Sequence, residues 1–357
     1  MEKQNKHLDF SNQQFYIGID VHKRNWTVTI RSNKMVLKTF SMNPDPKELI
    51  SHMERNYPGG KYYSVYEAGY SGYWIHRELT EKGIKNKVVS PTEIPTSSRE
   101  KLTKTDKVDS RKLARELGND SFRGIYIPTV LEQELRSLCR LRYQQVRKQT
   151  RIKNQIKSYL NFYGHKLPEN CEMKHWSRKF IEHLRELNFE YAMGKEQLEI
   201  YIEELITVRT RLTRIIKSIK NHFTEQGKEK EIKLLRSVPG IGFLTAITLL
   251  AELITIERFS SIDKLAGYLG LIPSTRSSGE KDNVLGISIL GNRYLRYLLI
   301  ESAWTAIRHD PALTLAYNNY LRRMSKQKAI IRIAKKLLSR IIYVWKNEKE
   351  YVYSVVQ

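Results

Sequence analysis

The sequence predicts a mixed α/β domain at the N-terminus, followed by a mostly helical remainder. Over the first 120 or so residues, short apolar runs with a period of two alternate with segments of helical period. From about Thr129 the composition changes to long, highly charged segments with few glycines or prolines. A chain of 357 residues is long enough for two or three domains with cores of their own.

Five strands and three helices are expected in the first domain. FYIGIDV (15–21), WTVTIRS (26–32) and MVLKTFSM (35–42) predict three strands in an antiparallel meander. A helix then begins at Asp45 or Pro46 and ends at Tyr57, before the terminator PGG. KYYSVYEAG (61–69) and KNKVVSP (85–91) predict two more strands, with helices over SGYWIHRELTEKG (71–83) and KVDSRKLARELG (107–118). The order of strands and helices is that of ribonuclease H-like folds.

Two long helices are predicted for the middle of the chain, and their lengths favour a helical hairpin or coiled coil. Between Leu135 and Pro168 there are nine Lys or Arg and no Asp or Glu. A charge run is usually a solvated face, but a single-sign run of this length favours a face that tracks phosphate. The arginines expected to share that face are Arg136, Arg140, Arg147 and Arg151. The predicted domains are therefore 1–125, 126–227 and a mostly helical 228–357.

The overall charge indicates a polyanionic partner. The formal net charge is +24, from 62 Lys and Arg against 38 Asp and Glu, so nucleic acid is favoured over a membrane surface. Cys139 and Cys171 stand apart from any metal-binding or disulfide motif, which fits a reducing cytosol. The sequence has no secretory signal pattern and no run of about 18 apolar residues, so we expect a cytoplasmic protein with no membrane partner.

Four acidic residues contradict this basic background. Asp20 and Glu67 each end an apolar strand, where an unpaired carboxylate is costly to bury. Asp106 and Asp109 are three apart at the start of a helix and point the same way. Each has an ordinary explanation as a structural or capping acid, but together they are the hard oxygen ligands of a two-metal phosphodiester site. The neighbouring His22 and Lys23 are assigned to the surface or to phosphate proximity, without a catalytic role.

Two segments of the last third could contact phosphate. SVPGIGFLTAITLLAEL predicts a helix-hairpin-helix, in which Gly240 and Gly242 let backbone N–H groups approach a phosphate; an ordinary glycine-broken turn is the alternative. PSTRSSGEK is expected to be a loop in which serines lie beside Arg276 and Lys281. A serine there could attack a phosphate if metal ions activated it, although no G-x-S-x-G motif is present.

Several motifs in one order resemble a known family. GIDVHK, YEA and KTDKVDSRKLA are followed far downstream by VPGIG, LAGYLGLIP, RSSG and GNRYLR. Together they are similar to the DEDD transposases of the insertion-sequence 110 group, also called bridge recombinases. The resemblance runs from about Tyr16 to Trp304.

The resemblance implies a RuvC-like N-terminal domain, a coiled-coil middle and a C-terminal transposase domain. It implies that Asp20, Glu67, Asp106 and Asp109 hold Mg²⁺ and that a serine attacks DNA. That serine falls on Ser278 by its distance from the proline of GLIP, with Ser277 as the neighbour. The implied partners are donor and target DNA, a structured noncoding bridge RNA, and further copies of the chain in a dimer to tetramer. A nucleoid-associated protein of a bacterium or archaeon is expected.

Two alternatives stay open from the sequence. A structure-specific Mg²⁺ nuclease, such as a junction resolvase, would use the same acids with water in place of the serine. A non-catalytic nucleic-acid-binding protein would need neither the acids nor the serine.

Overall fold

The structure, a computed structural model, describes residues 9–97, 100, 105–166, 176–278, 281–288 and 291–353. For 274–278 and 281–285 it describes the backbone alone. The chain divides into two compact units, Met1–Ile127 and Pro128–Gln357. The predicted boundary at residues 227 and 228 lies within the second unit and stays a prediction.

A five-stranded sheet forms the centre of the first unit. Its strands are β1 (Gln14–Val21), β2 (Trp26–Ser32), β3 (Met35–Met42), β4 (Lys61–Glu67) and β5 (Lys85–Val89), in the order β3-β2-β1-β4-β5. The first three strands are antiparallel, while β4 is parallel to both β1 and β5. The five predicted strands are confirmed. The last two, β4 and β5, end earlier than the predicted ranges 61–69 and 85–91.

Among the described residues, the sheet is accompanied by the helices α1 (Pro46–Asn56), α2 (Trp74–Glu81) and α3 (Asp106–Gly118). Side chains alternate along β1, as a strand requires. Phe15, Ile17 and Ile19 join the core that includes α1 and α2 residues. Tyr16 packs with the core that includes α3 residues, so α3 covers the opposite face. A short 3₁₀ turn at Pro91–Glu93, which the sequence analysis does not anticipate, follows β5.

Long helices begin the second unit. Helix α4 (Val130–Phe162) starts with a capping box between Thr129 and Glu132, and it packs along α6 (Ala192–Glu225), with α5 (Arg178–Glu186) beside them. The buried α6 residues recur at steps of three and four, beginning at Leu198, Ile202 and Leu205. Such spacing is compatible with the predicted coiled coil.

Helices also dominate the rest of this unit. They are α7 (Glu229–Ser237), α8 (Phe243–Leu253), α9 (Ile262–Tyr268), α10 (Arg293–His309), α11 (Pro311–Leu321) and α12 (Lys326–Asn347), around one large apolar core. The expected loop at PSTRSSGEK is wrong, because β6 (Pro273–Ser278) and β7 (Lys281–Ile287) form an antiparallel pair there. Within the described residues, no helix is both long and apolar enough to span a bilayer.

Candidate active site

Asp20 and Glu67 lie at the same end of two neighbouring strands. The parallel register pairs Gln14 with Lys61 and ends at Ile19 with Tyr66, so Asp20 and Glu67 are the next position along each strand. By strand alternation, both carboxylates point to the face that α3 covers. The strand pairing alone therefore brings two of the predicted acids together.

Gly18 allows α3 to lie directly on β1. A Cβ atom on Gly18 would come within 2.1 Å of the Ser110 carbonyl oxygen and 2.4 Å of the Ala114 nitrogen. Thr29 of β2 adds a hydroxyl contact of 2.9 Å to Ser110. No larger residue than glycine fits this crossing, which positions the start of α3 above the strand ends.

The first turn of α3 supplies the other two acids. Thr105 is the N-cap, and its hydroxyl accepts a hydrogen bond from the Val108 N–H. Asp106 and Asp109 follow in the first turn, where negative charge is favourable. The Asp109 side chain is 19% exposed and that of Asp106 is 55% exposed, so the pair spans from the interior of the site to its rim.

His22 joins Asp20 to Asp106. Its Nε2 atom lies 3.3 Å from Asp20 Oδ2 and 3.5 Å from Asp106 Oδ1. The donor atoms of these three residues all lie within 4.8 Å of one another, a spacing that allows a shared metal ion. The structure thus gives His22 a place among the acids that the sequence analysis does not assign.

Lys112 joins the remaining two acids. Its ammonium group is 2.9 Å from Asp109 Oδ1 and 3.9 Å from Glu67 Oε1,. Lys112 is buried, and a buried ammonium needs anionic partners of this kind. All four predicted acids therefore lie at one edge of the sheet, linked in two pairs by two basic side chains.

The electrostatics at Asp20 reflect this crowding. Burial raises the pKa of Asp20, the charges of Asp106 and Asp109 add to the increase, and His22 opposes it. Four carboxylates in one place repel each other, and hard divalent cations are the ions that such an oxygen donor set prefers. The residues present fit Mg²⁺ or a similar ion.

A basic surface borders the acids. A shallow depression beside the site is lined by His22, Lys23, Arg24, Asn25, Tyr70 and Asp106. The Tyr70 hydroxyl donates to the Val21 carbonyl over 3.1 Å, and the Lys23 ammonium lies 5.8 Å from the centre of its ring. A phosphate-bearing ligand in this depression would meet positive charge next to the carboxylates.

The predicted serine belongs to the second unit. In the backbone register, Ser277 pairs with Asp282 and Ser278 pairs with Lys281. The side chains of Arg276, Ser277, Ser278 and Lys281 lie outside the described residues. Their roles stay predictions.

The four arginines of α4 do not share one exposed face. Arg136 is buried and donates to the carbonyl oxygens of Ala251 and Glu252. Arg140 donates to both carboxylate oxygens of Glu252, a fully buried residue. The prediction that Arg136 faces phosphate is therefore wrong, and the guanidinium of Arg140 neutralises a buried carboxylate. Arg147 and Arg151 are exposed, as predicted.

Gly240 and Gly242 differ in their surroundings. Gly240 has a φ of +82°, and a Cβ atom there would lie 2.3 Å from the Ser302 carbonyl oxygen of α10. Gly240 therefore allows close helix packing. This contact does not open the backbone to a phosphate, as was expected for Gly240. Gly242 is exposed, begins α8 without a side-chain cap, and has no atom within 4 Å of its added Cβ position.

The roles of His22, Lys112 and Glu252 were not predicted from the sequence. His22 carried a local signal, because it stands two residues after a strand-ending acid. Lys112 lies three residues after Asp109, a spacing at which helical side chains meet. Glu252 carried no comparable signal, since its partner Arg140 is 112 residues away.

Two family models match this chain. One for DEDD transposases of the IS110 type matches residues 17–165, the region that holds the four acids. Another, for the IS116/IS110/IS902 transposase family, matches residues 232–318, which include the β6–β7 pair.

Individual proteins are similar over most of the chain. The y4rJ protein of Sinorhizobium fredii, provisionally named a transposase, is 31% identical over 314 residues, covering 80% of this chain and 78% of that protein. The transposase for insertion sequence element IS1111A of Coxiella burnetii is 27% identical over 266 residues, 74% of this chain and 71% of its own. The transposase for IS1533 of Leptospira borgpetersenii is 27% identical over 248 residues, 67% and 70% of the two chains.

Proposed function

Because the chain belongs to the IS110 family of DEDD transposases, we propose that it exchanges DNA strands by metal-assisted chemistry with a serine nucleophile and an RNA guide. The family makes it a DNA transposase, an enzyme that recombines DNA. The metal, the serine and the RNA are the proposal. The observation that carries it is the convergence of Asp20, Glu67, Asp106 and Asp109 at one sheet edge.

The four carboxylates are the proposed metal ligands. A chain with a net charge of +24 attracts DNA, yet four acids at one point would repel its phosphates. When bound there, divalent ions would neutralise the charge that develops on the phosphate during strand transfer. His22 contacts Asp20 and Asp106, and Lys112 contacts Asp109 and Glu67, so one basic side chain holds each pair of acids.

The proposed nucleophile is the hydroxyl of Ser278, with Ser277 as the alternative. Its oxygen forms a bond to phosphorus, the bond to one DNA strand end breaks, and the oxygen of that end takes a proton from solvent and leaves as a hydroxyl. The serine proton passes to solvent. The phosphoserine link retains the energy of the broken phosphodiester, so the reverse reaction with a new strand end rejoins DNA. Arg276 and Lys281 are proposed to bind the flanking phosphates.

A structured noncoding RNA is proposed to select donor and target DNA by base pairing. The exposed Arg147 and Arg151 of α4 are suited to holding RNA, because A-form RNA is bound mainly through its backbone and shape. The turn of the predicted helix-hairpin-helix, with Gly242 exposed at the start of α8, is a further backbone contact. Assembly as a dimer to tetramer would let a serine of one copy meet the acids of another.

Trapping of a covalent intermediate tests the serine. We expect a protein–DNA adduct with Mg²⁺ and element-end DNA, present in the wild type and in Ser277→Ala and absent in Ser278→Ala. Cleavage of DNA without any adduct would favour a nuclease that uses water.

Recombination that persists in Asp20→Ala and Asp109→Ala would contradict the metal site and favour a binding protein without catalysis.

Sequencing of copurified RNA tests the guide. We expect one abundant noncoding RNA with loops complementary to both the element junction and the insertion site. Arg147→Ala combined with Arg151→Ala should reduce its recovery, while Lys326→Ala, an exposed position on α12, should not. Recovery of only heterogeneous cellular RNA would contradict the proposal.

A further inference from the structure

We propose that His22 is a direct ligand of one divalent ion, through Nε2, together with Asp20 and Asp106. We infer that this nitrogen makes the position favour Mn²⁺ over Mg²⁺. The inference rests on the proposed metal function and adds a fifth ligand to its four acids.

The distances around His22 match those between ligands of one ion. Ligand atoms about 2.1 Å from a common ion lie about 3.0 Å apart in an octahedron and about 3.4 Å apart in a tetrahedron. Nε2 lies 3.3 Å from Asp20 Oδ2 and 3.5 Å from Asp106 Oδ1. All three donor atoms lie within 4.8 Å of each other. Two of the three separations are therefore close to those expected between ligands of one ion, and the third does not exceed 4.8 Å.

The backbone directs the imidazole toward this space. The His22 N–H donates to the Asn25 carbonyl over 3.2 Å, which closes the turn between β1 and β2. The side chain therefore leaves the chain at the strand end, two residues beyond Asp20. It is about half exposed, so water and ions can reach Nε2.

The other half of the site differs in chemistry. Among the described residues, Lys112 is a basic group that contacts both Asp109 and Glu67, and an ammonium group cannot act as a ligand while it is protonated. That half offers oxygen ligands, which suit Mg²⁺. The half with His22 offers one nitrogen and two oxygens, a set that Mn²⁺ accepts more readily than Mg²⁺ does. The two ion positions are therefore unequal.

An imidazolium that bridges two carboxylates is the competing explanation of the same distances. In that case, an entering ion would displace His22, and no nitrogen would be bound to it. The two explanations differ in whether nitrogen contacts the metal, which a spectrum reports directly.

Pulsed electron paramagnetic resonance of Mn²⁺ on the full-length protein tests the inference. We expect a directly coordinated ¹⁴N signal that changes when histidine is labelled with ¹⁵N and disappears in His22→Gln. Competition titrations should show that His22→Gln lowers Mn²⁺ affinity by about tenfold or more and Mg²⁺ affinity by less than about threefold. The matched control His222→Gln, an exposed histidine of α6, should leave both unchanged.

The outcomes separate this inference from the proposed function. Mn²⁺ binding that is lost in Asp109→Asn but shows no ¹⁴N coupling in the wild type overturns the role of His22 and keeps the acid site. Coupling that persists in His22→Gln, or an equal loss of Mn²⁺ and Mg²⁺ affinity, also overturns it. Absence of any bound Mn²⁺ in the wild type overturns both proposals.

Discussion

A Cβ atom on Gly18 would lie 2.1 Å from the carbonyl oxygen of Ser110. The missing side chain of one residue thus sets the separation between β1 and α3, and with it the positions of four acids. Asp20 and Glu67 come from the strands, while Asp106 and Asp109 come from the helix. The geometry of the site is consequently sensitive to a position that contains no chemical group.

Gly18→Ala should therefore damage both stability and metal binding. The added methyl group must push backbone atoms of α3 away, and overpacking of this kind costs about 1–3 kcal/mol or more. Urea unfolding and Mn²⁺ titration measure the two effects. Gly267→Ala in α9 is the control, because its Cβ would make an ordinary 3.5 Å contact with Ile272. Alanine is also favoured over glycine within a helix by about 1 kcal/mol. Equal behaviour of the two variants would contradict the tight crossing.

Lys112→Met should destabilise the protein chiefly when metal is absent. Loss of the ammonium removes the positive charge that lies 2.9 Å from Asp109 and 3.9 Å from Glu67, at a cost of about 2 kcal/mol. Added Mg²⁺ or Mn²⁺ should raise the melting temperature of this variant by more than that of the wild type. Thermal unfolding with chelator and with metal gives the comparison. The control Lys107→Met, an exposed change on the same helix, should show no such difference. If Lys112→Met responded to metal as the wild type does, the role of Lys112 would be contradicted.

Asp20→Asn should stabilise the metal-free protein at neutral pH. Burial raises the pKa of Asp20 above its ordinary value of 3.8, so the folded state holds that proton more tightly than the unfolded chain does. The contribution of Asp20 to stability therefore falls as pH rises from about 4 through the raised value. Melting temperatures with chelator should be higher for the variant at pH 7, and the difference should vanish near pH 3. The same variant should lose stabilisation by Mn²⁺.

Asp120→Asn is the control of opposite sign. The hydrogen bond and charge of Lys87 lower the pKa of Asp120, so its ionised form favours the folded state above the ordinary pKa and loses that effect as pH falls. Asparagine tolerates the left-handed φ of +49° found there. This variant should be no more stable than the wild type at pH 7. A gain in both variants would show that the effect is not specific to Asp20.

Arg140→Met and Arg147→Met should separate structure from nucleic-acid binding on one helix. Loss of Arg140 leaves the fully buried Glu252 without its bidentate partner, which costs about 3 kcal/mol. Arg147 is exposed, so its loss should change stability by less than about 0.5 kcal/mol. Loss of Arg147 should instead weaken RNA binding. It should also reduce the salt dependence of RNA affinity by about one released ion for each lost phosphate contact. Denaturant unfolding and binding at several salt concentrations provide the test, and equal destabilisation of the two variants would contradict the assignment.

Much of the first unit was predictable because its signals are local. The period-two runs gave all five strands, and Asp45 and the PGG segment marked the two ends of α1. Strand-ending acids and an i, i+3 pair also pointed to the four carboxylates that the structure places at one end of the sheet. The predicted loop at PSTRSSGEK was wrong because no such local signal marks the strands there. Serine and glycine favour turns, and the pairing of β6 with β7 overrides that preference.

The α4 arginines show where local reasoning ends. Their spacings of four, seven and four residues predict one shared helix face, yet Arg136 is buried and Arg151 is exposed. What differs is the neighbour: α8 brings Ala251 and Glu252 against the first half of α4. A charge pattern predicts which side chains share a helix face, and another part of the chain decides whether that face meets solvent.

By itself, the sequence determined the order of strands and helices, the basic charge and the identity of the four acids, because periodicity, capping and residue type act over a few neighbouring positions. Only the tertiary structure decided that His22 lies between Asp20 and Asp106 and that Lys112 lies between Asp109 and Glu67. It also decided that α3 packs directly on Gly18. Distances between elements depend on how closely their backbones pack. That packing is set by contacts between residues far apart in the chain, such as Gly18 with Ser110, which no local pattern contains.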